Sequence, residues 1–264
     1  MFNVVTTGLR GIFRDRVFQG IMVAAVLFLL IPTVSSLSMR QVSELSITLS
    51  LSLISFILLL LAVFLGGTSL WRDIDRRYTH SVLGLPISRS SYLLGRFTAN
   101  ALFLCLCSAA LSLVAFGVIF YVSAFSPPAR PIQWQTIAAA VCFDTLKYVL
   151  LVAAAFLFST ISTSFFLPIF GTITILLAGN ASQGVYDYLH SPAISKTIPQ
   201  AVVEAAGALY YLLPNFSSFD FKLNAVYGLP LPGEGLLMTA GYFLIYCAIL
   251  LTGAVMIFAR REMK

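Results

Sequence analysis

Long apolar runs alternate with short polar segments along this chain of 264 residues. A helix needs about 20 mainly apolar residues to cross a bilayer, and six segments meet or approach that length. They are roughly residues 17–37, 45–70, 97–122, 136–158, 165–180 and 236–258. The pattern predicts an all-α integral membrane protein with six transmembrane helices in one domain, residues 1–264.

The composition also favours a membrane protein. Hydrophobic residues make up 59% of the chain and charged residues 10%, and the mean hydropathy is +0.95. Soluble domains carry about 25% charged residues. The net charge of +6 lies mostly near the ends of the predicted spans, where Lys and Arg set membrane orientation, so it does not indicate binding to nucleic acid.

The distribution of Lys and Arg predicts the orientation. If the N-terminus is inside, the inner segments hold eleven of these residues and the outer segments hold four, with Lys147 inside a span. Inner segments of membrane proteins are enriched in Lys and Arg. We therefore expect both termini to be cytoplasmic, in a multi-pass membrane protein.

Residues 1–16 precede the first predicted span and have an amphipathic pattern. Apolar residues recur at helical spacing, with polar and basic residues elsewhere on the helix; the apolar set is Phe2, Val5, Leu9, Ile12 and Phe13. A helix of this kind can lie in the membrane interface and contact lipid. An ordinary basic anchor before the first span is the alternative.

A basic loop at residues 71–96 lies between the second and third predicted spans. We expect a short cytoplasmic helix from about Asp73 to Gly84, because Pro86 disfavours helical conformation in the residue before it. Ser88 or Ser90 is a candidate cap for the next helix. The charged and turn-forming residues of interest are Asp73, Asp75, Arg76, Arg77, Pro86 and Arg89. The alternative is a solvated linker.

The predicted outer segment, residues 181–235, contains a short apolar helix. The sequence from Pro199 to Leu213 has helix-forming composition, and Pro214 stops it. Its apolar content suggests that it dips into the outer leaflet or caps the membrane domain.

Charged and hydroxyl side chains also occur within the spans. Asp144 and Lys147 are three residues apart in the fourth span, so they share a helix face and can pair. The pair either lines a path or forms a conformational latch, or it is a neutralised structural pair. Hydroxyl residues of the second span either pack helices together or line a path; they are Ser46, Thr48, Ser50, Ser52 and Ser55.

The sequence offers no catalytic set. There is no G-x-x-x-x-G-K-[ST] phosphate loop and no H-E-x-x-H motif. The two histidines, His80 and His190, fall on opposite sides of the predicted membrane. The four cysteines lie in apolar runs, where buried thiols are a better interpretation than a metal site or disulfide. We expect no enzyme activity, metal or cofactor in this chain.

Two motifs resemble those of ABC-2 type transporter permeases. The first combines Asp75, then Leu-Gly-Leu-Pro-Ile-Ser-Arg at 83–89, then Tyr-Leu-Leu-Gly-Arg at 92–96; the second is Leu-Pro-Asn-Phe at 213–216, followed by Phe219. The pattern is most similar to the branch that contains the nitrous-oxide-reductase maturation permease. It departs at Arg77-Tyr78, where the family usually has Gly-Thr, and at Arg96, where Lys is common.

This resemblance implies the membrane subunit of an exporter that uses a separate ATPase subunit, which binds ATP and Mg. The loop at Asp73–Arg89 would be the coupling helix that docks on the ATPase, and a homodimer with two ATPases is the simplest assembly. The cargo would be hydrophobic or amphiphilic. Alternatives are a maturation permease supplying a metal or sulfur species to an extracytoplasmic partner, and a non-transporting mechanotransmitter driven by the ATPase.

Overall fold

A computed structural model describes residues 2–13, 18–20, 22, 23, 25, 42–75, 88–125, 131–191 and 199–260. In this part of the chain every regular element is a helix, as the all-α prediction requires. The elements in order are α1 (Phe2–Phe13), α2 (Val42–Asp75), α3 (Arg89–Phe125), α4 (Trp134–Ile161), α5 (Phe166–Leu189), α6 (Gln200–Leu212), a 3-10 helix η1 (Phe216–Phe219), α7 (Lys222–Tyr227) and α8 (Gly233–Arg260).

Five of these helices are long and apolar enough to cross a membrane: α2, α3, α4, α5 and α8. They are compatible with a multi-pass membrane protein. Most of the first predicted span, 17–37, lies outside the described residues, so the count of six remains a prediction.

The central helix of the bundle is α4. Seven consecutive residues, from Leu150 to Phe156, are each 0% exposed. A helix buried on every side in this way has neighbours all round it. The other four long helices, α2, α3, α5 and α8, all pack against α4.

The first helix, α1, packs along α3 through a face that only partly overlaps the predicted apolar set. Val4, Gly8 and Ile12 are buried, whereas Phe13 of the predicted apolar set is 46% exposed. Gly8 explains the difference, since a Cβ there would lie only 3.0 Å from Ala99 Cβ. The close approach of α3 at Gly8 determines which face of α1 is buried. A pattern of apolar residues does not indicate this contact, because glycine has no side chain.

The predicted outer segment begins within a helix. The fifth span was predicted to end at Asn180, but α5 continues to Leu189. Further along, α6 occupies the position of the helix predicted before Pro214. The two phenylalanines of η1, Phe216 and Phe219, are 0% exposed, so this part of the segment packs into the bundle.

Candidate functional site

The described residues of the 71–96 loop lie at the ends of two long helices. We call this end of the bundle the loop end. Asp73 and Asp75 belong to the last turn of α2, and Arg89 is the first residue of α3. The helix predicted to begin at about Asp73 is therefore wrong at its start, because α2 runs without a break through Asp75. Arg76, Arg77 and Pro86 lie outside the described residues.

Asp73 is bound by two side chains of α3. Its Oδ2 atom lies 2.5 Å from Arg96 Nη2 and accepts a hydrogen bond from Arg96 Nε at 2.6 Å. Tyr92 donates its hydroxyl proton to the same oxygen at 2.7 Å. The Asp73 and Arg96 side chains are only 13% and 17% exposed, so they are screened less than a surface pair. These three residues, which we call the clasp, join α2 and α3 at the loop end.

Arg89 connects the start of α3 to the end of α8. Its Nη1 donates to the carbonyl oxygen of Ala259 at 3.0 Å. A cation at a helix C-terminus satisfies a free carbonyl and interacts favourably with the helix dipole. Ser88 caps α3, as its Oγ accepts from the backbone N–H of Ser91 at 3.2 Å. Arg89 is thus part of a helix terminus, at the first residue of α3.

The two charged residues of the fourth predicted span, Asp144 and Lys147, form an ion pair in the middle of α4. Lys147 Nζ lies 2.7 Å from Asp144 Oδ1, and each side chain is 7% exposed. Ser55 of α2 donates to Asp144 Oδ1 at 3.2 Å and lies 2.8 Å from the Tyr148 hydroxyl. Since the single Ser55 proton goes to the carboxylate, Tyr148 donates to Ser55. The Lys147 ammonium also lies 4.8 Å from the centre of the Tyr148 ring.

A second buried contact adjoins this pair. Ser108 of α3 and Thr145 of α4 have their hydroxyl oxygens 2.6 Å apart. Thr145 donates its proton to the Val141 carbonyl, so Ser108 is the donor to Thr145. We call the whole set the polar seam; its members are Ser55, Ser108, Asp144, Thr145, Lys147 and Tyr148. It joins α2 and α3 to one short stretch of α4.

Sequence reasoning found only part of the seam. It paired Asp144 with Lys147 and noted Ser55 as one of several hydroxyls, but it did not single out Tyr148, Ser108 or Thr145. The helical spacing of Asp144, Lys147 and Tyr148 was the available signal. The other hydroxyls of the predicted set behave differently, since Ser46 and Ser50 are buried without a hydrogen-bond partner. Thr48 donates to the Glu44 carbonyl, and Ser52 is exposed.

The Leu-Pro-Asn-Phe motif is docked against α5 and α8. Asn215 donates through Nδ2 to Gln183 Oε1 at 2.7 Å and through its backbone N–H to the Tyr242 hydroxyl at 2.7 Å. Gly179 of α5 provides the space, because a Cβ there would meet a Phe216 ring carbon at 2.7 Å. The motif therefore holds the segment after α6 against the end of the bundle opposite the loop end.

The remaining groups with catalytic or metal-binding potential are dispersed in the described residues. The cysteines are free thiols, with Cys107 and Cys247 buried and Cys105 and Cys142 exposed. Among the described residues, no three or more His, Cys, Asp and Glu side chains are grouped to hold a metal ion. The contacts described above connect helices to one another.

Comparison with known proteins gives no family for the chain. No protein-family model matches its sequence, and no curated protein is similar to it.

Proposed function

We propose that this chain is the transmembrane permease subunit of an ATP-driven, ABC-2 type exporter. It moves a hydrophobic or amphiphilic cargo outward, and a separate ATPase subunit binds ATP and Mg. The observation that carries this proposal is the 71–96 segment. It has the permease-like sequence motif. Its described residues, 71–75 and 88–96, connect three helices, which are α2, α3 and α8.

The proposed topology has six spans with both termini in the cytoplasm. It is supported by the eleven Lys and Arg residues on the loop side against four on the other side. The loop end of the bundle is then cytoplasmic, and the segment from α6 to α7 is extracytoplasmic. The location that fits this topology is the bacterial inner membrane.

In this proposal the ATPase docks on the loop and moves it. Asp73 acts as an anchor, since its Oδ2 atom is occupied by Arg96 and Tyr92. The docking residues are then Arg76, Arg77 and Arg89, with Pro86 shaping the turn. The clasp passes movement of the loop to α2 and α3, and Arg89 passes it to α8.

The assembly is proposed as a homodimer of this chain with two ATPase subunits. A mechanotransmitter that moves an extracytoplasmic partner would use the same connections. It differs from an exporter in that no cargo crosses the membrane, so transport into sealed vesicles discriminates between the two.

Purification under mild conditions tests the proposal. The tagged chain is extracted from its native membrane in a mild detergent, in parallel with a variant carrying Arg76→Glu and Arg77→Glu. We expect an ATPase to co-purify with the unmodified chain and to be depleted several-fold with the variant. Recovery of equal amounts of unmodified chain and variant, each without an ATPase, would reject the exporter function.

A further inference from the structure

The backbone of α2 is in direct contact with two neighbouring helices at consecutive glycines. A Cβ at Gly66 would lie 2.9 Å from Ala155 Cβ and 3.3 Å from Val152 Cα, both on α4. A Cβ at Gly67 would lie 3.2 Å from Ile169 Cγ1 on α5. Small residues permit this close approach of helix backbones in membranes. The crossing of α2 and α4 is therefore fixed at Gly66.

Polar side chains hold the same point from two sides. Asn100 of α3 donates through Nδ2 to Ser69 Oγ at 2.9 Å and to the Leu65 carbonyl at 3.4 Å. Ser159 of α4 donates to the Ala155 carbonyl at 2.8 Å, and its hydroxyl oxygen lies 3.4 Å from the Gly67 carbonyl. We call this crossing point the pivot. It joins α2 to α3 as well as to α4.

The α2–α3 hairpin is joined to itself or to α4 at three levels. At the loop end the clasp links α2 to α3, so their ends move together. At the pivot both helices meet near α4. Beyond the pivot, the hairpin contacts α4 again through the polar seam, from Ser55 and from Ser108. A displacement of the hairpin at the loop end therefore also displaces it at the polar seam, with the pivot between them.

We propose that the α2–α3 hairpin rocks on α4 about the pivot, and that the polar seam latches it in the position observed. This inference rests on the proposed function for the source of the force, which is the ATPase at the loop end. Removing the latch releases the hairpin whether or not an ATPase is bound.

The two parts of α2 on either side of the pivot, which we call its short and long arms, differ in length. A small displacement of the short arm at the loop end therefore produces a larger displacement at the polar seam. At 1.5 Å per residue, Asp73 is about 10 Å from the pivot and Ser55 is about 17 Å from it on the other side. A shift of about 1 Å at Asp73 becomes about 1.7 Å at Ser55, in the opposite direction. The Ser55 contacts of 2.8 and 3.2 Å would then pass the limit of about 3.5 Å for a hydrogen bond. The proposed movement therefore has two positions, one with these hydrogen bonds made and one with them broken.

The chain contains its own reporter of this movement. Trp71 lies on the short arm of α2, with its ring centre 5.2 Å from that of Phe165 in the α4–α5 turn. The chain has two tryptophans, so Trp134→Phe leaves Trp71 as the only one. Its quenching by acrylamide is measured in lipid nanodiscs that contain this chain and no ATPase.

The latch is tested by Ser55→Ala and independently by Thr145→Val. Loss of one buried hydrogen bond shifts an equilibrium about fivefold, so each variant populates the released position more and Trp71 is quenched more strongly. Ser52→Ala is the matched control, being exposed on the same helix. Ser55 and Trp71 are about 24 Å apart along α2, which excludes direct contact. Quenching equal to that of Ser52→Ala in both test variants overturns the proposal.

The pivot is tested by Gly66→Ala. Its Cβ separates α2 from α4, whereas Gly117→Ala on α3 adds the same group where no atom lies within 4 Å. We expect Gly66→Ala to abolish the response of Trp71 to Ser55→Ala and Gly117→Ala to preserve it. An equal response in both backgrounds overturns the role of the pivot.

A final measurement separates this inference from the proposed function. The co-purified ATPase is added to the single-tryptophan chain with a non-hydrolysable ATP analogue. A change in Trp71 quenching supports both. A chain that responds to Ser55→Ala but recruits no ATPase retains the rocking hairpin and refutes the exporter.

Discussion

Asp73 near the end of α2 and Arg96 in the second turn of α3 form an ion pair, with 2.5 Å between Asp73 Oδ2 and Arg96 Nη2. The two residues flank the segment on which the proposed function depends. Because Tyr92 donates to the same carboxylate oxygen, the pair is held by more than charge. The strength of the Asp73–Arg96 pair therefore determines how firmly α2 and α3 are joined at the loop end.

Breaking this pair should weaken the fold at the loop end. We expect Asp73→Asn or Arg96→Gln alone to lower the free energy of unfolding by about 2 kcal/mol, as for hydrogen bonds to charged groups. The reversed pair Asp73→Arg with Arg96→Asp should recover part of this loss. Denaturant unfolding in detergent measures it, with Arg10→Gln at an exposed position of α1 as a control. Strictly additive effects of the two reversals would contradict the pairing.

Asp144 and Lys147 should be more costly to change singly than together. Removing one partner leaves a buried charge uncompensated, which costs about 3–5 kcal/mol, while removing both leaves a neutral helix. Expression level and thermal unfolding are compared for Asp144→Asn, Lys147→Met and the double variant. Single variants as stable as the unmodified chain would show that the ion pair contributes nothing.

Arg89→Glu should impair communication with the ATPase more than it impairs folding. Arg89 is exposed and donates to the Ala259 carbonyl, and a reversed charge at that helix end costs about 0.3–1 kcal/mol. At a docking surface a reversed charge costs about 2–5 kcal/mol. We therefore expect near-normal protein levels and at least tenfold weaker stimulation of the ATPase.

Pro86→Ala should have the same effect, since a helix that continues past residue 85 changes the shape of the loop. Reconstituted complexes with matched amounts of each subunit provide the measurement for both variants. Full stimulation in the two variants would indicate that the loop is a solvated linker.

Gly179→Ala should release the docked segment around Asn215. The added Cβ would meet a Phe216 ring carbon at 2.7 Å and also the Pro214 carbonyl, and overpacking of this kind costs about 1–3 kcal/mol. Gly184→Ala, on the same helix with no atom within 4 Å, is the matched control. Thermal unfolding should separate the two variants, and equal midpoints would argue against close docking.

The sequence was sufficient to predict features that depend only on the spacing of residues within one helix. The spacing of Asp144 and Lys147 is sufficient to bring their charges together, and the apolar runs are sufficient to locate five helices. Contacts between helices were not predicted, because they depend on how each helix is rotated. Ser55 contacts Tyr148, which lies 93 positions further along the chain, and no pattern within α2 distinguishes Ser55 from Ser52.

Two other differences have separate causes. The buried face of α1 is centred on Gly8, whose lack of a side chain gives no hydrophobic signal. The length of α5 was underestimated because hydropathy falls after Asn180 while the helix continues to Leu189. Hydropathy indicates which residues favour an apolar environment, and a helix can continue beyond them because its backbone hydrogen bonds do not require apolar side chains.

In the proposed topology the length of α3 determines how far the 71–96 loop lies from the lipid. The helix has 37 residues, or about 55 Å at 1.5 Å per residue, whereas the hydrocarbon layer is about 30 Å thick. Its first eight residues, Arg89 to Arg96, precede the apolar run and extend about 12 Å beyond that layer. Headgroups occupy about 5–8 Å on each side. In the proposed topology the start of α3 therefore clears the lipid surface, and a water-soluble protein can reach it without entering the bilayer.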